Sequence, residues 1–537
     1  MTKRMKASAE PTKVGLMQQP GQTGHKESGP TAEALGSTRD PAALGPPDDA
    51  AGPRAGGWQS AGIPFARRHA SFAIVVLAAA IPRVIAMLGY PGTMLIPDSW
   101  RYAAFALHLH PYVVRPVGYS ALLWLLKPFH SLVFVAGIQH AVGLGIGVIV
   151  YALLRRRFGM PGWAATLAAV PALFSAYAIQ IEHFLLSDAL FALFVTAAVA
   201  LMLCWPVPPV WAYALTGLLL GAASLDRLEG VPLIAVFLGF IAVRLTRSAA
   251  RRMVAGALAM CTMFALPLIG YASWFQRANG VFDLTTGTGA YLYSRVIPFA
   301  DCAKIKPPPA ERKLCLDVPV SERRYPDYYV WHLNTPMWTV PGGAFSNRAD
   351  LLGTDFAFRA IKAQPLDYLT AVWHSAWDSF WQSRGPDPQA QSEKSYVFPV
   401  AAPHAIPGVY EPDLRAYNGG ADPNLRLVQP FAGWIRTYQR FVFVPGPLLG
   451  VITLCGLIGL ALAWRERGGP ALLPWLTGVA LLMLPAATSD FDARYVVCTI
   501  PPLAIAAAIV GQDAVCLARR RAGPQAARPA PAVSAQR

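Results

Sequence analysis

Acidic side chains are rare between residues 70 and 273, and their positions are the first indication of chemistry. The carboxylates there are those of Asp98, Glu182, Asp188, Asp226 and Glu229. Each lies at or near the end of an apolar run, and on the topology derived below all of them face the same side. Ionisable groups at membrane depth are costly, which favours a functional role over the alternative that loop ends simply attract acids. A carboxylate cluster over an outward-facing cavity suggests general-base chemistry on a substrate at the membrane surface.

Arginines accompany these acids. Arg227 lies shortly before Glu229 in the turn between two apolar runs, and a guanidinium binds phosphate through paired hydrogen bonds. The alternative is a local ion pair between Arg227 and Glu229. Arg115 and Arg494 are further cations expected at the outer face, where each would bind a phosphate or, alternatively, lipid headgroups. Arg83 lies inside the first apolar run and is expected to pair with another side chain of the bundle.

Four of these residues, Asp98, Glu182, Asp188 and Arg227, are expected to border a single cavity on the outer face. The alternative for Asp98 is that it caps the helix predicted to start at Ser99. Glu182 is expected in a turn and Asp188 about one turn into the next helix. For this pair the alternative is a capping or hydrogen-bonded role.

The overall composition is that of a polytopic membrane protein. Of the 537 residues, 54% are hydrophobic and 14% are charged, and the mean hydropathy is +0.37. Soluble domains carry roughly 25% charged residues. These values exclude a cytosolic enzyme, a secreted disulfide scaffold and a mostly disordered chain. The net charge of +16 comes mainly from short basic clusters between apolar runs, which argues against nucleic-acid binding.

Ten apolar runs predict ten transmembrane helices. With ten spans, all basic clusters fall on one side, and the positive-inside rule assigns that side to the cytoplasm. The protein is therefore expected in the inner (plasma) membrane, with both termini in the cytoplasm. The predicted spans are 70–90, 131–153, 163–181, 184–204, 211–226, 229–246, 254–273, 441–463, 471–488 and 495–516, and the basic clusters lie at 67–68, 155–157, 244–252, 465–467 and 519–521.

The predicted fold class is therefore an all-α polytopic membrane protein. A small mixed extracytoplasmic domain is expected between the seventh and eighth helices, and segment 118–129 is expected to be amphipathic and to lie along the interface. The predicted regions are a disordered cytoplasmic tail (1–69), a seven-helix membrane module (70–273) with an outer loop (91–130), the extracytoplasmic domain (274–440), three C-terminal transmembrane helices (441–518) and a second disordered tail (519–537).

Several short motifs, taken in order, resemble the polyprenyl-phosphate-sugar-dependent glycosyltransferases of the GT-C fold. That group includes the protein O-mannosyltransferases and the aminoarabinose transferases that act on lipid A. The resemblance covers about residues 70–515, and it depends on the order and placement of the motifs. The motifs are Asp98-Ser-Trp-Arg-Tyr102, Arg115-Pro-Val-Gly-Tyr119, Glu182-His-Phe-Leu-Leu-Ser-Asp188, Gly217–Arg227, Ile361-Lys-Ala-Gln-Pro-Leu-Asp-Tyr368, and Arg494-Tyr495 with Pro501-Pro502.

The resemblance implies roles for individual residues. Asp98 would be the general base that deprotonates or orients an acceptor hydroxyl. Arg227, and after it Arg115, would bind the phosphate of the leaving group. Asp188 and Glu182 would lie beside the donor or acceptor and complete the catalytic set. The remaining substrate-binding residues would be Tyr102, Glu229 and Arg494.

The implied substrates are a polyprenyl-phosphate sugar and a hydroxyl on a protein, lipid or polysaccharide acceptor, with membrane lipid as the surrounding partner. No cofactor and no metal are indicated. The D-x-D sequence at Asp490 and Asp492 is interpreted as a solvated turn, because nucleotide sugars are not supplied on the outer side. Two other functions stay open: a transporter or flippase of a lipid-linked saccharide, and a non-catalytic subunit of cell-envelope assembly.

Two of the seven cysteines, Cys302 and Cys315, fall in the predicted outer domain. An oxidising compartment favours a disulfide between them, and two free thiols are the alternative. The other cysteines lie in or at the ends of apolar runs and are expected to pack as small apolar side chains.

Overall fold

The computed structural model describes residues 62–381, 396–401, 406–463 and 469–521. Within these ranges the secondary structure is helical, and one isolated parallel β-bridge joins Met94 to Phe184. Most of the two predicted tails lies outside the described residues. Residues 62–69, which the sequence assigns to a disordered tail, form the first turns of a helix, since alanine and arginine both favour helix.

The membrane module is built from helices in the first half of the described chain. Several of them begin or end where the sequence supplies a cap: the Ser131 hydroxyl accepts a hydrogen bond from the Phe134 amide, and Gly159 ends the same helix with a positive φ. The helices are α1 (Gly62–Gly89), α2 (Pro97–Leu107), α3 (Gly118–Leu126), α4 (Leu132–Phe158), α5 (Gly162–Phe174), α6 (Ala176–His183), α7 (Asp188–Leu203), α8 (Val210–Asp226), α9 (Leu233–Val243) and α10 (Ala250–Asn279).

The second half contains the predicted outer domain and the C-terminal helices. The described residues of 274–440 form helices and loops without a strand, so the expectation of a mixed domain is wrong. Segments that begin at proline or follow a capping serine form helices there, among them Pro326–Trp331 and Asn347–Ala363. The helices are α11 (Thr288–Val296), α12 (Cys302–Ile305), α13 (Pro326–Trp331), α14 (Asn347–Ala363), α15 (Pro365–Trp377), α16 (Glu411–Tyr417), α17 (Phe431–Phe441), α18 (Gly446–Leu462), α19 (Leu472–Thr488) and α20 (Ala493–Arg521).

Every predicted span overlaps an apolar helix or a bent pair of helices. Four helices of the described chain are long and apolar enough to cross a membrane, namely α1, α4, α10 and α20. Two further pairs, α5 with α6 and α17 with α18, meet those criteria together and bend by 49° and 48°. The helices α7, α8, α9 and α19 are shorter apolar helices, so a count of ten membrane crossings stays a prediction.

Close helix contacts hold the membrane module together. A Cβ atom on Gly217 of α8 would lie 2.0 Å from the carbonyl oxygen of Met260 on α10, so only glycine permits this approach. The helix α20 packs against α4, α5, α7 and α19 and carries many buried apolar side chains. Apolar side chains such as Ile74, Trp163 and Leu258 are exposed, as expected of surfaces that face lipid.

Residues 274–440, the predicted outer domain, are called the outer segment below. The helices α11 and α14 form its centre, around the buried rings of Tyr293 and Phe356. The amide of Gly289 donates a hydrogen bond of 2.6 Å to the carboxylate of Asp350. A disulfide joins Cys302 to Cys315, whose Cα atoms are 6.1 Å apart.

Candidate active site

The two acidic motifs are brought together by a short backbone pairing. The Met94 amide donates to the His183 carbonyl oxygen at 2.9 Å, and the Met94 carbonyl accepts from the Leu185 amide at 3.0 Å. Just beyond this pairing each strand-like segment enters a helix, α2 on one side and α7 on the other. Asp98 lies in the first turn of α2 and Asp188 in the first turn of α7. The pairing therefore starts both acid-bearing helices side by side.

A buried glutamine fixes this arrangement further. The hydroxyl of Tyr119 donates to Oε1 of Gln139 at 2.8 Å. The Nε2 group of Gln139 donates to the carbonyl oxygens of Glu182 at 2.9 Å and Phe184 at 2.8 Å. Because all of these groups are buried, the loop before α7 is tied to α3 and α4 by hydrogen bonds without competition from water.

Asp98 is an ion-paired residue and not a helix cap. Its Oδ2 atom lies 2.8 Å from Nη2 of Arg115 and 3.3 Å from Nη1 of Arg494. The capping alternative is wrong because the helix begins at Pro97, so Ile96 is the N-cap residue and Asp98 lies inside the first turn. The side chain of Asp98 is nearly buried, so both pairs are shielded from screening by solvent.

These contacts keep Asp98 ionised. Burial alone raises the pKa of its carboxyl, but Arg115 and Arg494 together hold that pKa below its usual value. The pKa of Arg115 rises, since the attraction of Asp98 exceeds the effect of burial. No hydrogen bond from the described residues reaches Oδ1 of Asp98, so that oxygen is available to a ligand.

A cavity of about 300 Å³ opens beside Asp98. Its walls combine cations with aromatic rings, and Arg101 stacks 5.9 Å from the ring centre of Tyr112. Such a mixture suits a ligand with both a charged group and a flat or apolar surface. The lining residues are Asp98, Arg101, Tyr102, Phe105, His110, Tyr112, Arg115, Pro116, Val117 and Ser120.

Arg227 forms a second charged cluster. Its Nη1 donates to Oδ1 of Asp188 at 2.6 Å and its Nη2 donates to Oε1 of Glu229 at 3.0 Å. Burial on its own lowers the pKa of Arg227, but these two carboxylates raise it far above its usual value. The local pair with Glu229 that the sequence left open is present, together with the longer-range pair to Asp188. Arg227 is thus largely neutralised by its neighbours.

The ring of Tyr495 joins the two clusters. The guanidinium carbon of Arg227 lies 4.9 Å from its centre, and that of Arg494 lies 5.2 Å from it. Glycine permits the approach of the loop that carries Arg115, because a Cβ atom on Gly118 would lie 2.5 Å from the carbonyl oxygen of Leu225. Asp98 is thus linked through Arg494 and Tyr495 to Arg227, and through Arg227 to Asp188, but neither Arg227 nor Asp188 lines the cavity beside Asp98.

Glu182 belongs elsewhere, which corrects the expectation that it borders the same cavity. It lies in the last turn of α6, where its two oxygens accept hydrogen bonds of 2.8 Å from Nε and Nη2 of Arg83. Nδ1 of His140 lies 2.9 Å from Oε2. The expected bundle partner of Arg83 is therefore Glu182, and the six-residue offset from Asp188 points the two acids to different places.

Asp188 is also placed differently from the expectation. It is the first residue of α7 and does not lie a turn inside the helix. A carboxylate in the first turn is favoured by the partial positive charge of the helix N-terminus. That effect supplements its ion pair with Arg227.

The D-x-D segment is part of the site and not a solvated turn. Asp490 is buried, with Oδ1 at 3.8 Å from Nη1 of Arg295. Oδ2 of Asp492 lies 3.3 Å from Nε of Arg494 and accepts a hydrogen bond of 3.0 Å from the Tyr396 hydroxyl. The turn is buried because the outer segment packs over it, which local sequence does not reveal.

The outer segment also supplies an acid that sequence reasoning missed, Asp327. Burial and the nearby charge of Asp492 raise the pKa of Asp327 to about 6. Burial and the charge of Asp327 in turn raise the pKa of Asp490, in the D-x-D segment, to about 7. Within the described ranges, no three His, Cys, Asp or Glu side chains are grouped in a way that could hold a metal ion.

Comparison with solved structures finds similar membrane proteins. The crystal structure of ArnT from Cupriavidus metallidurans in the apo state shares 16% identity, covering 83% of this chain and 78% of that one, with a TM-score of 0.33. ArnT bound to undecaprenyl phosphate gives 15% identity, the same coverage and a TM-score of 0.32. A third match is the archaeal oligosaccharyltransferase AglB from Archaeoglobus fulgidus, in complex with an inhibitory peptide and a dolichol-phosphate. It shares 12% identity, covering 85% of this chain and 52% of that one, with a TM-score of 0.39.

No protein-family model matches the chain, and no curated protein matches its sequence. This chain spans about half the length of AglB. The solved structures found thus include ArnT and an oligosaccharyltransferase, each at a TM-score below 0.5. At TM-scores below 0.5 these similarities assign no substrate and no residue role.

Proposed function

We propose that the chain is an integral membrane glycosyltransferase that moves a sugar from a polyprenyl-phosphate donor to an acceptor hydroxyl, with Asp98 as general base. One observation carries the proposal: a nearly buried carboxylate is held between Arg115 and Arg494 at the wall of a cavity. The arrangement combines a proton acceptor with two cations suited to phosphate.

The proposed step is an in-line displacement at the anomeric carbon. The acceptor oxygen forms a bond to that carbon, and the bond from the carbon to the phosphate oxygen breaks. The bonding electrons leave with the polyprenyl phosphate, and the acceptor proton goes to Asp98. Negative charge grows on the departing phosphate, so fixed cations beside it stabilise the transition state.

Arg115 and Arg494 suit this role better than Arg227, which the motif resemblance had placed first. Arg227 already donates to Asp188 and Glu229, so its charge is largely compensated. Arg115 and Arg494 share one oxygen of Asp98, so an incoming phosphate could take over part of their hydrogen bonding. We assign Arg227, Asp188 and Glu229 to holding the site together around Tyr495.

Donor binding would then prepare Asp98 for proton transfer. In the free protein Arg115 and Arg494 lower the pKa of Asp98, which makes it a weak base. A phosphate near both guanidiniums would offset their charge and raise that pKa. Asp98 would thus become a stronger base when the donor is present, which limits unproductive proton transfer. Tyr102, which also lines the cavity, would contact the sugar or the acceptor.

The lipid donor implies a membrane setting. The apolar helices fit a multi-pass membrane protein, and the basic clusters at 155–157 and 244–252 lie at the helix ends opposite the site. We propose an active site on the extracytoplasmic face of the plasma membrane, with both termini in the cytoplasm. The acceptor would be a hydroxyl of a protein, lipid or polysaccharide on that face, and no cofactor is invoked.

Sugar transfer in a membrane extract tests this proposal. Radiolabelled polyprenyl-phosphate mannose, arabinose and glucose would be supplied in parallel to the wild type, to Asp98→Asn and to a matched control, Asp355→Asn, which changes an exposed aspartate of α14. We expect label to pass from lipid to another molecule in the wild type and the control, and to stop in Asp98→Asn.

The same experiment separates the alternatives. A transporter or flippase would move labelled lipid across sealed vesicles without transferring the sugar. A non-catalytic subunit would do neither, and Asp98→Asn would leave its assembly unchanged. Transfer that persists in Asp98→Asn would contradict the role of Asp98 as the base.

A further inference from the structure

A second cavity, of about 400 Å³, lies far from the candidate active site. It is enclosed by the end of α4, the connection between α7 and α8, the end of α9 and the start of α10. Among the described residues that line it, none is acidic. The lining residues are Arg157, Met202, Leu203, Trp205, Pro206, Pro208, Tyr213, Phe240, Ile241, Arg244, Met253 and Pro470.

The cavity and the active site lie at opposite ends of the same helices. Helix α7 begins at Asp188 in the site and ends at Leu203 beside the cavity. At about 1.5 Å per residue this separation is roughly 22 Å along the axis. Helix α8 runs back from near Tyr213 at the cavity to Arg227 in the site. The cavity is therefore on the face that the basic clusters assign to the cytoplasm.

Two arginines give this cavity an affinity for anions. Arg157 is half-buried, and its Nε donates to the Leu203 carbonyl oxygen at 3.1 Å. Its two terminal nitrogens make no hydrogen bond or ion pair with the described residues, so they can donate to a ligand. Arg244 lines the cavity from α9, where its guanidinium carbon lies 5.7 Å from the ring centre of Phe240.

The remaining wall is apolar and aromatic. Met202, Phe240 and Met253 supply apolar surface next to the two guanidiniums. Trp205 lines the cavity, and its ring meets that of Trp211 edge to face at 5.4 Å. Tryptophan favours the boundary between lipid headgroups and hydrocarbon. A ligand that joins a phosphate to acyl chains matches this combination, whereas a free anion would use only the arginines.

We propose that this cavity binds the headgroup of an anionic phospholipid from the cytoplasmic leaflet, with the phosphate on Arg157 and Arg244. Basic pockets between transmembrane helices on that side are suited to such headgroups. The proposal does not depend on the glycosyltransferase assignment, because the site lies at the other end of the helices.

Native mass spectrometry of the full-length protein in detergent tests the proposal by titration with phosphatidylglycerol, phosphatidylcholine or inorganic phosphate. The variant Arg157→Gln/Arg244→Gln removes both cavity charges. The control Arg156→Gln/Arg247→Gln removes the same charge from exposed positions outside the cavity. We expect phosphatidylglycerol to bind about thirtyfold more weakly to the cavity variant, because it loses two arginines at roughly 1 kcal/mol each, and about equally to wild type and control.

Three results would overturn the proposal. Equal loss in the control would mean that binding depends on general surface charge. Equal affinity for phosphatidylcholine would mean that net lipid charge is not recognised. Saturation by inorganic phosphate as tight as that by lipid would make a free anion the occupant. The single variant Arg157→Lys, which keeps the charge, should retain most of the binding and guards against loss through misfolding of the double variant.

Discussion

Asp98 and Arg494 are 396 residues apart in the chain, yet Nη1 of Arg494 lies 3.3 Å from Oδ2 of Asp98. Asp98 lies in the first turn of α2, and Arg494 lies at the start of α20. The proposed base therefore acquires its charge environment only when the C-terminal helix has packed into the bundle. The predictions below follow from this pair and its neighbours.

The first prediction concerns Arg494→Lys. Arg494 contacts Asp98 through Nη1 and Asp492 through Nε, and a lysine cannot make both contacts. We expect the KM for the lipid donor to rise about tenfold while the protein keeps its thermal stability within a few degrees. The measurement is steady-state transfer with varied donor. The matched control is Arg440→Lys at an exposed position of α17, and an equal rise in its KM would contradict the prediction.

The second prediction concerns the pH dependence of kcat/KM in Arg115→Gln. Burial raises the pKa of Asp98, but Arg115 and Arg494 hold it below its usual value, so the wild type stays active at acidic pH. Loss of the Arg115 charge raises that pKa, and the acid limb should move up by about one pH unit. An unmoved limb would mean that Asp98 does not control it.

The lowered pKa of Asp98 also makes the thermal stability of the protein depend on pH. Because the folded pKa of Asp98 is lowered, its ionised form stabilises the fold above the unfolded pKa of about 3.9. That contribution disappears as the pH falls through the folded pKa. In Arg115→Gln the folded pKa of Asp98 is higher, so the contribution at neutral pH should be smaller and its loss should be complete at a higher pH. Thermal unfolding between acidic and neutral pH measures it, with exposed Arg277→Gln as the control.

The third prediction separates Glu182 from catalysis. Glu182 accepts two hydrogen bonds from buried Arg83, so Glu182→Gln leaves a buried guanidinium without its counter-ion. We expect a loss of roughly 3 kcal/mol in the free energy of unfolding, measured in detergent, with kcat of the folded fraction within about threefold. Arg83→Met/Glu182→Leu should be more stable than Glu182→Gln. Full stability with abolished transfer would instead make Glu182 catalytic.

The fourth prediction tests which side the site occupies. Cys302 and Cys315 form a disulfide in the outer segment, whereas Cys516 is exposed near the far end of α20. A variant that keeps only Cys302 and Cys315 should react with an impermeant maleimide on intact cells after reduction. A variant that keeps only Cys516 should react only after permeabilisation. The reverse pattern would invert the proposed topology.

Local sequence was sufficient for the helices and for much of the site. Hydropathy is a property of contiguous residues, so each apolar run correctly predicts an apolar helix or bent pair. Asp98, Asp188 and Arg227 were identified because charges at the ends of such runs are rare. Their partners also came from residues already selected, among them Arg115 and Arg494.

The errors arose where burial depends on distant packing. Glu182 was grouped with Asp188 because the two are close in sequence, but buried Arg83 on α1 takes its carboxylate. Asp490 was interpreted as solvated, although Arg295 and the outer segment cover it. Neither arrangement has a signal within a short window of sequence, because each depends on contacts between remote helices.

The pairing of Met94 with the segment before α7 has a consequence for insertions and deletions. Asp98 follows Met94 by four residues, and Asp188 follows Phe184 by the same number, and both connections are largely non-helical. One residue added or removed within either connection would shift the start of the following helix relative to the pairing, by up to about 3.3 Å of chain. Asp98 would then move away from its arginines while the helix itself remained intact. Insertions and deletions should therefore be tolerated before Met94 or before Phe184. The same changes between Met94 and Asp98, or between Phe184 and Asp188, should inactivate the protein.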